Sequence, residues 1–573
     1  MSGTKHEPVM KGKLLSQWLG HLLALDAAAD RRIGQLSIDN RDCIEGSLFI
    51  ALHGQACDGA DFIEQAIERG AVAVLQGVEA SAAAEVMLEQ SSAGVTFTRI
   101  KLPGLEADIA ELAADFYDRP AAALAVVAIT GTNGKTSVSH YAAQLSNLCG
   151  MPAGVIGTLG YGMEDHLRPT RNTTPDAVSI QRQLAELRDA GAQAVFLEAS
   201  SHALVQGRLT AVPVDVAALT NITRDHLDYH GSLAAYASAK RSLFSMPSLS
   251  AAIFNDDDYY GSLWRHELAQ SRPGGDASED MEDATDDRDH GGPELMTVSL
   301  LHAATVCAEN IELKADGMSC SINLSGEKGT PRLRLMGEFN LANVLTAAAC
   351  VYAVMVHQLQ HKRNGQTPDR LLTVESADCA SRIVSYCAQL RAVPGRLQMV
   401  QAGSAGAQPR IVIDYAHTPD ALQKTLTALK QHGFTRVTTV FGCGGDRDKG
   451  KRALMGEIAS LHSSKIILTS DNPRSEDPYS IISDIREGTE TGNAAVEVIE
   501  QREQAIAAAI ETADSSSLVL VAGKGHEDYQ EYAGRRLPFS DLDVVRKVLE
   551  RLQSPSVKKP SAADTPLQRQ EKM

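Results

Sequence analysis

The segment AITGTNGKTS at 128–137 places glycines and a lysine where an apolar run, LAVVAIT at 124–130, gives way to a polar helical stretch. At such a strand-to-helix turn, backbone N–H groups and the helix N-terminus cradle phosphates. Lys135 would neutralise phosphate charge there, and the Thr136 hydroxyl would reach a magnesium ion. The strict GxxxxGK[ST] spacing is not met, because its first glycine falls on Ile129. Glu198, in FLEASSH, closes another apolar run and can face the phosphate loop. Taken alone, it equally well caps a helix or closes a salt bridge. TNITRDHLDYHGS at 220–232 adds His226 and His230 after a further apolar run. Histidine and aspartate beside a nucleotide site suit metal binding, although a lone histidine is more often structural. Lys240 sits in the helical stretch LAAYASAKRSLF, where a surface lysine is the plain alternative.

Several domains must hold these groups. At 573 residues the chain exceeds one core, and about 150 residues per domain suggests three or four. Residues 35–76 alternate short strands and turns with one helical stretch, FIEQAIERG, which fits a small α/β domain. From 124 to about 393, runs such as QAVFLEAS and VDVAALTNI alternate with helical stretches, as in a parallel sheet wrapped by helices. After the break VPGRLQMV at 393–400, the runs RIVIDYAH, RVTTVFGCGG, KIILTSD and SLVLVAGKG build a third, Rossmann-like α/β domain. The expected domains are therefore 1–122, 123–393 and 394–552. The polar tail 553–573 and the acidic insertion 273–293 have no apolar periodicity and read as solvated decoration.

Bulk composition narrows the function. A net charge of −18 opposes nucleic-acid binding in the absence of a basic patch. No uninterrupted apolar run reaches the roughly 18 residues of a membrane span, and the N-terminus lacks a signal-peptide core, so a cytoplasmic protein without membrane insertion is expected. Nine cysteines without CxxC pairs indicate neither a disulfide framework nor a thiolate zinc site.

In chain order, GTNGKTS, NTTPDA (172–177), EASSHALVQGR (198–208), TRDHLDYHG (223–231), GEFNLANVLTAAA (337–349), PGRLQ (394–398), DYAHTPDAL (414–422), GCGGDRDKGKR (442–452), DNPRSEDP (471–478) and GKGHEDYQ (523–530) resemble the Mur ligase family. The likeness spans about residues 35–545. It implies ATP-dependent amide-bond formation in peptidoglycan precursor synthesis: phosphorylation of the D-glutamate γ-carboxylate of UDP-N-acetylmuramoyl-L-alanyl-D-glutamate, then attack on the acyl phosphate by the amine of meso-2,6-diaminopimelate. Such chemistry needs charge neutralisation more than a covalent nucleophile.

The resemblance also implies roles for residues. Gly131, Thr132, Asn133, Gly134, Lys135, Thr136 and Ser137 would bind ATP phosphates, with Thr136 and Glu198 on one Mg²⁺ and His226 and Lys240 serving a second. Lys240 would carry a CO₂-derived carbamate, which makes a cation into an oxygen ligand. Asn340 and Asn343 would approach adenine, Arg396 the nucleotide, and Asp414 and His417 its ribose and phosphate side. Asn172, Thr173, Thr174, Ser200, Gln206 and Arg208 would surround the muramoyl-dipeptide. UDP would lie on the first domain, at Ile38 and Asn40 of SIDNRD and at His53, Gly54, Gln55 and Ala56; Asn40 replaces the family's serine but keeps a donor and an acceptor.

Arg447, Asp471, Asn472, Pro473, Arg474, Ser475, Gly523 and Glu527 would form the amino-acid site. Arg474 can grip the distal carboxylate of diaminopimelate bidentately, which no neutral side chain can do. A salt bridge to Glu476 or Asp477 is its structural alternative, and Glu527 suits an ammonium group. A monomer is expected. The competing functions are a lysine-adding or folylpolyglutamate-forming relative, and an inactive nucleotide-binding scaffold.

Overall fold

The computed structural model describes residues 12–54, 57–163, 166–271, 292–362, 369–400 and 409–553. Gln55, Ala56, nearly all of the insertion 273–293 and the tail from 554 onward lie outside the described residues. The chain divides into two compact units, one of residues 1–312, 319–333 and 339–391, the other of 313–318, 334–338 and 392–573.

The first unit contains two sheets. The smaller runs in the order Gln35–Ser37, Ser47–Ala51, Ala71–Val78, Thr96–Pro103, Glu85–Gln90, parallel except for the last pair. Its core side chains, among them Leu48, Leu75 and Ile100, pack with Leu105, Leu112 and Phe116 of the helix Leu105–Phe116. Val178 and Ala185 of the helix Ala177–Asp189 join the same core, so this sheet shares its interior with the next one's helical layer.

The larger sheet has twelve strands around a parallel centre, in which Ala125–Thr130 lies between Ala194–Glu198 and Val216–Leu219. Ala194–Glu198 and Val216–Leu219 are buried throughout and Ala125–Thr130 nearly so, which is why they read as continuous apolar runs. Because the three are parallel, their C-terminal ends bring Gly131, Glu198 and Thr220 to one edge. The expected uniform parallel sheet does not hold to its rims. Gly160–Met163 and His166–Arg168 pair antiparallel at one rim, and Gly317–Leu324 and Glu327–Gly329 form an antiparallel pair at the other. Gly317–Leu324 alternates between buried and partly exposed positions, the two-residue period of a strand with one wet face.

The helix Glu338–Lys362 includes one window, Glu338–Gln358, long and apolar enough to cross a membrane, but most of that window is buried within the fold. Leu341, Val344, Leu345 and Val351 are fully buried, so its hydropathy is that of a core helix.

The second unit carries a six-stranded sheet in the order Gln398–Val400, Arg410–Asp414, Leu518–Ala522, Val437–Phe441, Lys465–Leu468, Ala495–Val498, parallel but for the first strand. Helices Pro419–Gln431, Gly450–His462 and Pro478–Thr489 cover one face through Leu422, Met455 and Ile485; Arg502–Thr512 and Asp541–Gln553 cover the other through Ile506 and Val545. The segments 313–318 and 334–338 belong to this unit. Buried His432 holds both: its Nε2 accepts from the Gly337 N–H at 2.8 Å, and its Nδ1 donates to the Lys314 carbonyl at 2.7 Å.

Candidate active site

The phosphate loop turns on two glycines in the left-handed region, Gly131 (φ 144°) and Gly134 (φ 91°). A Cβ on Gly131 would stand 1.9 Å from Thr220 Oγ1, and one on Gly134 would stand 2.4 Å from Asn343 Oδ1. Side chains are thus excluded there by packing as well as by φ. The helix Lys135–Leu148 follows at once. Lys135 Nζ donates to the carbonyls of Gly131 and Thr132 at 2.9 and 3.0 Å, folding back over the loop it closes. Thr220 Oγ1 donates to the Asn133 carbonyl at 2.6 Å, and Asn133 N–H donates to Asn221 Oδ1 at 3.1 Å. Asn343 Nδ2 donates to Asn340 Oδ1 at 3.2 Å, and both asparagines are buried against this turn.

Glu198 is buried at the end of its strand and gathers hydroxyls. Thr136 Oγ1 donates to its Oε2 at 3.0 Å, Thr158 Oγ1 to the same oxygen at 3.1 Å, and the Thr158 N–H to Oε1 at 2.8 Å. Gly157 is required beside it, since a Cβ would meet Oε1 at 2.1 Å. Thr174 Oγ1 donates to the Glu198 carbonyl at 2.6 Å and accepts from the Ser200 N–H at 2.9 Å. Thr173 Oγ1 lies 3.1 Å from Thr158 Oγ1. Arg208 Nη1 donates to the Thr174 carbonyl, while its Nε and Nη2 donate to Gln206 Oε1 at 3.0 and 2.6 Å. Thr173, Thr174, Ser200, Gln206 and Arg208 therefore form one hydrogen-bonded group beside the Thr136–Glu198 pair; Asn172 stands exposed next to it.

Lys240 is 1% exposed, and its Nζ donates to the Gly131 carbonyl at 2.9 Å over the Tyr236 ring. Burial, and then the charge of Lys135, hold its ammonium well below the usual lysine range, with Asp225 opposing. The plain alternative of a surface lysine is excluded. His226, at φ 50°, packs edge-on to His202 with ring centroids 4.9 Å apart, and its Nε2 lies 3.5 Å from Asp225 Oδ2. No hydrogen bond joins His226 to Thr136, Glu198 or Lys240. His230 Nε2 instead meets Ser201 Oγ at 3.0 Å. Among the described residues no three His, Cys, Asp or Glu side chains converge on a metal position. Magnesium is commonly held by one or two carboxylates together with substrate phosphates and waters, a mode that Glu198 and Thr136 fit.

At the first domain, Asp39 caps the short turn Asn40–Asp42 and accepts hydrogen bonds from the backbone N–H, Nε and Nη2 of Arg41. Those bonds from Arg41, with Arg171 adding its charge, bring its carboxyl down to about 2. Arg171 also reaches Asp42 at 2.7 Å, which ties this turn to the NTTPDA loop. Asn40 Nδ2 donates to Gln65 Oε1 at 2.8 Å, Ile38 packs at the edge of the sheet core, and His53 Nδ1 lies 3.0 Å from Asp58 Oδ2. The Gly54 N–H donates to the Cys57 carbonyl at 3.1 Å.

In the second unit, Asp414 is buried and its carboxyl is pushed up by burial; it accepts from Leu397 N–H at 2.7 Å, Ala416 N–H at 3.0 Å and Thr425 Oγ1 at 3.0 Å. Its hydrogen bonds go to its own chain and brace the Pro-Gly-Arg turn. The Arg396 guanidinium stacks over Tyr415, 4.5 Å from the ring centroid, and His417 packs on the same ring.

Arg474, at φ 52°, donates from Nη1 to the Gly445 carbonyl at 2.7 Å, and its Nε stands 3.5 Å from Glu531 Oε2. Nη2 has no hydrogen bond to the described residues. Neither alternative partner is used: Glu476 is taken by Arg452, whose two bonds of 2.8 and 3.1 Å help hold its carboxyl down at about 2, and Asp477 caps the helix Pro478–Thr489. Ser475 donates to Asp446 through Oγ at 2.6 Å and N–H at 3.1 Å, which joins the DNPR loop to the loop of exposed Arg447. Pro473 lies between them, its carbonyl where a Cβ on Gly445 would stand 1.9 Å away. Asp471 packs on Gly523, where a Cβ would stand 2.6 Å from its Oδ2.

Three family models match this chain: the Mur ligase family catalytic domain over residues 32–117, the Mur ligase middle domain over 129–351, and the Mur ligase glutamate ligase domain over 395–525. The chain belongs to the Mur ligase family. It is 39% identical over 534 residues to the UDP-N-acetylmuramoyl-L-alanyl-D-glutamate–2,6-diaminopimelate ligase of Pseudomonas putida, covering 92% of this chain and 97% of that one. The ligase of the same name from Coxiella burnetii is 38% identical over 551 residues, 94% of this chain and all of that one. A solved structure with that ligase title superposes with a TM-score of 0.59 at 31% identity, over 94% of this chain and 99% of the other. MurF from Acinetobacter baumannii superposes with a TM-score of 0.63 at 16% identity over 95% and 100%, a likeness of fold alone.

Sequence reasoning on this Mur ligase passed over Thr158, Arg171, Lys524 and Glu531. Only Lys524 had a readable signal, a lysine between the two glycines of GKGHE.

Proposed function

We propose that this Mur ligase joins meso-2,6-diaminopimelate to the D-glutamate γ-carboxylate of UDP-N-acetylmuramoyl-L-alanyl-D-glutamate, with ATP, in the cytoplasm. The observation that carries the choice of amino acid is Arg474, three-quarters buried, fixed by the Gly445 carbonyl and with no hydrogen bond from its Nη2 to the described residues. A distal carboxylate completes that guanidinium; the distal ammonium of lysine meets it with like charge. The near-full-length likeness to ligases named for diaminopimelate supports the same choice.

The domains 1–122, 123–393 and 394–552 take UDP, ATP and the amino acid in this reading. Gly131–Ser137 present backbone donors to the phosphates, and Lys135 moves from its loop carbonyls onto phosphate oxygens. When bound, magnesium neutralises charge on the transferring phosphoryl group, and Thr136 and Glu198 are the residues that would hold it. A carbamate forms only from a neutral amine, and burial beside Lys135 favours that form of Lys240. Arg208 and the threonine group orient the peptide so that its γ-carboxylate, rather than water, meets the phosphoryl group.

The test is phosphate release by the purified protein. Release is expected only with the UDP-muramoyl-dipeptide and diaminopimelate together. Release without an amino acid, or faster release with L-lysine, overturns the assignment.

A further inference from the structure

Lys524 is fully buried in the second unit, and neither the phosphate chemistry nor the diaminopimelate reading uses it. Its Nζ donates to Glu527 Oε2 at 2.7 Å and to Asn472 Oδ1 at 3.0 Å, and it lies over the Tyr529 ring, 5.3 Å from the centroid. Asn472 is used on every side. Its Nδ2 donates to Glu527 Oε2 at 2.9 Å, and its Oδ1 also accepts the Glu531 N–H at 3.0 Å. Glu527 Oε2 thus takes two donors, while Oε1 of this partly exposed carboxylate has no hydrogen bond to the described residues.

A buried ammonium without a counter-charge is costly, and a carboxylate with free rotamers loses that freedom when it takes up a ligand. The arrangement meets both costs at once. It fixes the carboxylate by one oxygen and leaves the other open, in a loop linked to Arg474 through the Glu531 backbone: the Arg474 N–H donates to the Glu531 carbonyl at 2.9 Å.

We propose that Lys524 is a positioning residue for amino-acid recognition: it locks Glu527 Oε2, with Asn472, so that Oε1 is the acceptor for an ammonium group of the incoming amino acid. The proposal rests on the diaminopimelate reading for the substrate, but its own content is the Lys524–Glu527 coupling. A locked acceptor loses no rotamer freedom when the ammonium arrives, which is the gain lost when Lys524 is removed.

The test is a double-mutant cycle on full-length protein, with the amino acid that the wild type turns over. Lys524→Met is expected to raise KM for the amino acid about tenfold or more, with KM for ATP and for the UDP-peptide within about twofold of wild type. Glu527→Gln is expected to raise the same KM. Lys524→Met/Glu527→Gln should then be no worse than Glu527→Gln alone, since the locked carboxylate is already gone. Equal rises for all three substrates, or losses that multiply in the double variant, overturn the proposal. Lys524→Gln, which keeps a donor but no charge, serves if methionine prevents folding; a folded glutamine variant with unchanged KM for the amino acid also overturns it. Failure of the diaminopimelate reading is seen separately, in the amino-acid preference of the wild type.

Discussion

Around Gly131–Ser137 the polar groups are engaged with one another: Lys135 on loop carbonyls, Thr136 on Glu198, Lys240 on the Gly131 carbonyl. Around Asn472–Ser475 the framework is equally well bonded, yet among the described residues specific atoms have no hydrogen-bond partner, Arg474 Nη2 and Glu527 Oε1 among them. Both regions lie on loops that lead from a strand of a parallel sheet into a helix, Gly131–Ser137 after Ala125–Thr130 and Asn472–Ser475 after Lys465–Leu468. The contrast fits the ligands proposed for them. Phosphates are met by backbone donors and mobile lysine heads that exchange an internal partner for a ligand. An amino acid is selected by fixed side chains whose spare valences match its charges.

The largest expected effect that would sharpen this comparison is at Lys240. Lys240→Ala should lower phosphate release by at least about a thousandfold, with partial recovery on adding a short carboxylic acid that occupies the vacated space. Near-normal turnover in the alanine variant would take the residue out of the chemistry.

Arg474→Ala comes next. A charge-assisted bidentate contact is worth roughly 2 to 5 kcal/mol, so kcat/KM for diaminopimelate should fall about 30-fold to several thousandfold. Arg474→Lys should recover only part of it, and the poor rate with L-lysine should hardly change. Equal losses for both amino acids would make Arg474 structural and erase the contrast drawn above.

Arg171 is a smaller case, because it bonds across the surface between the Asp39–Asp42 turn and the NTTPDA loop. Exposed ion pairs contribute about 0 to 1 kcal/mol, so Arg171→Ala should raise KM for the UDP-peptide only about two- to fivefold, with KM for ATP unchanged. Steady-state titrations of both substrates decide it.

The smallest effect is a pH dependence. The Asp39 carboxyl is lowered from 3.8 to about 2, so its pairing stabilises the fold fully above the unfolded value and is lost as pH falls through about 2. Asp39→Asn should therefore lower the stability read from urea unfolding slightly at pH 7, by under about 1 kcal/mol, because the arginines that pair with Asp39 are solvent-exposed. The gap to wild type should close as pH approaches 2; a gap that widens on acidification would refute the assignment.

Much of this architecture was legible in the sequence, for reasons visible at particular residues. Strands 125–130, 194–198 and 518–522 are buried on both faces, so they stand out as unbroken apolar runs. The rim strands were not legible: Gly317–Leu324 mixes Ser, Cys and Asn among its apolar residues, and its partners are set by pairing rather than by burial alone. The family resemblance implied that Thr136, Glu198, Lys240 and Asn343 gather near Gly131, and of these only Glu198 closes a strand, the others lying in helices. Motif spacing could not indicate that Asp414 spends its carboxylate on Leu397, Ala416 and Thr425, nor that Lys524 lies beneath Glu527. Both depend on which way a side chain turns once neighbouring loops have closed, and one-dimensional spacing carries no such information.

The imidazole of His432 has a consequence for biosynthesis. The peptide groups it bonds, at Lys314 and Gly337, are translated about a hundred residues before it. At a ribosomal rate of roughly 5 to 20 residues per second, those two stretches wait about 5 to 24 seconds for the unit to which they belong. A fragment cut at residue 392 would expose them permanently, and a fragment beginning there would lack them. The C-terminal unit therefore cannot be completed from its own contiguous stretch of message, and its folding is chained to the earlier synthesis of the unit that precedes it.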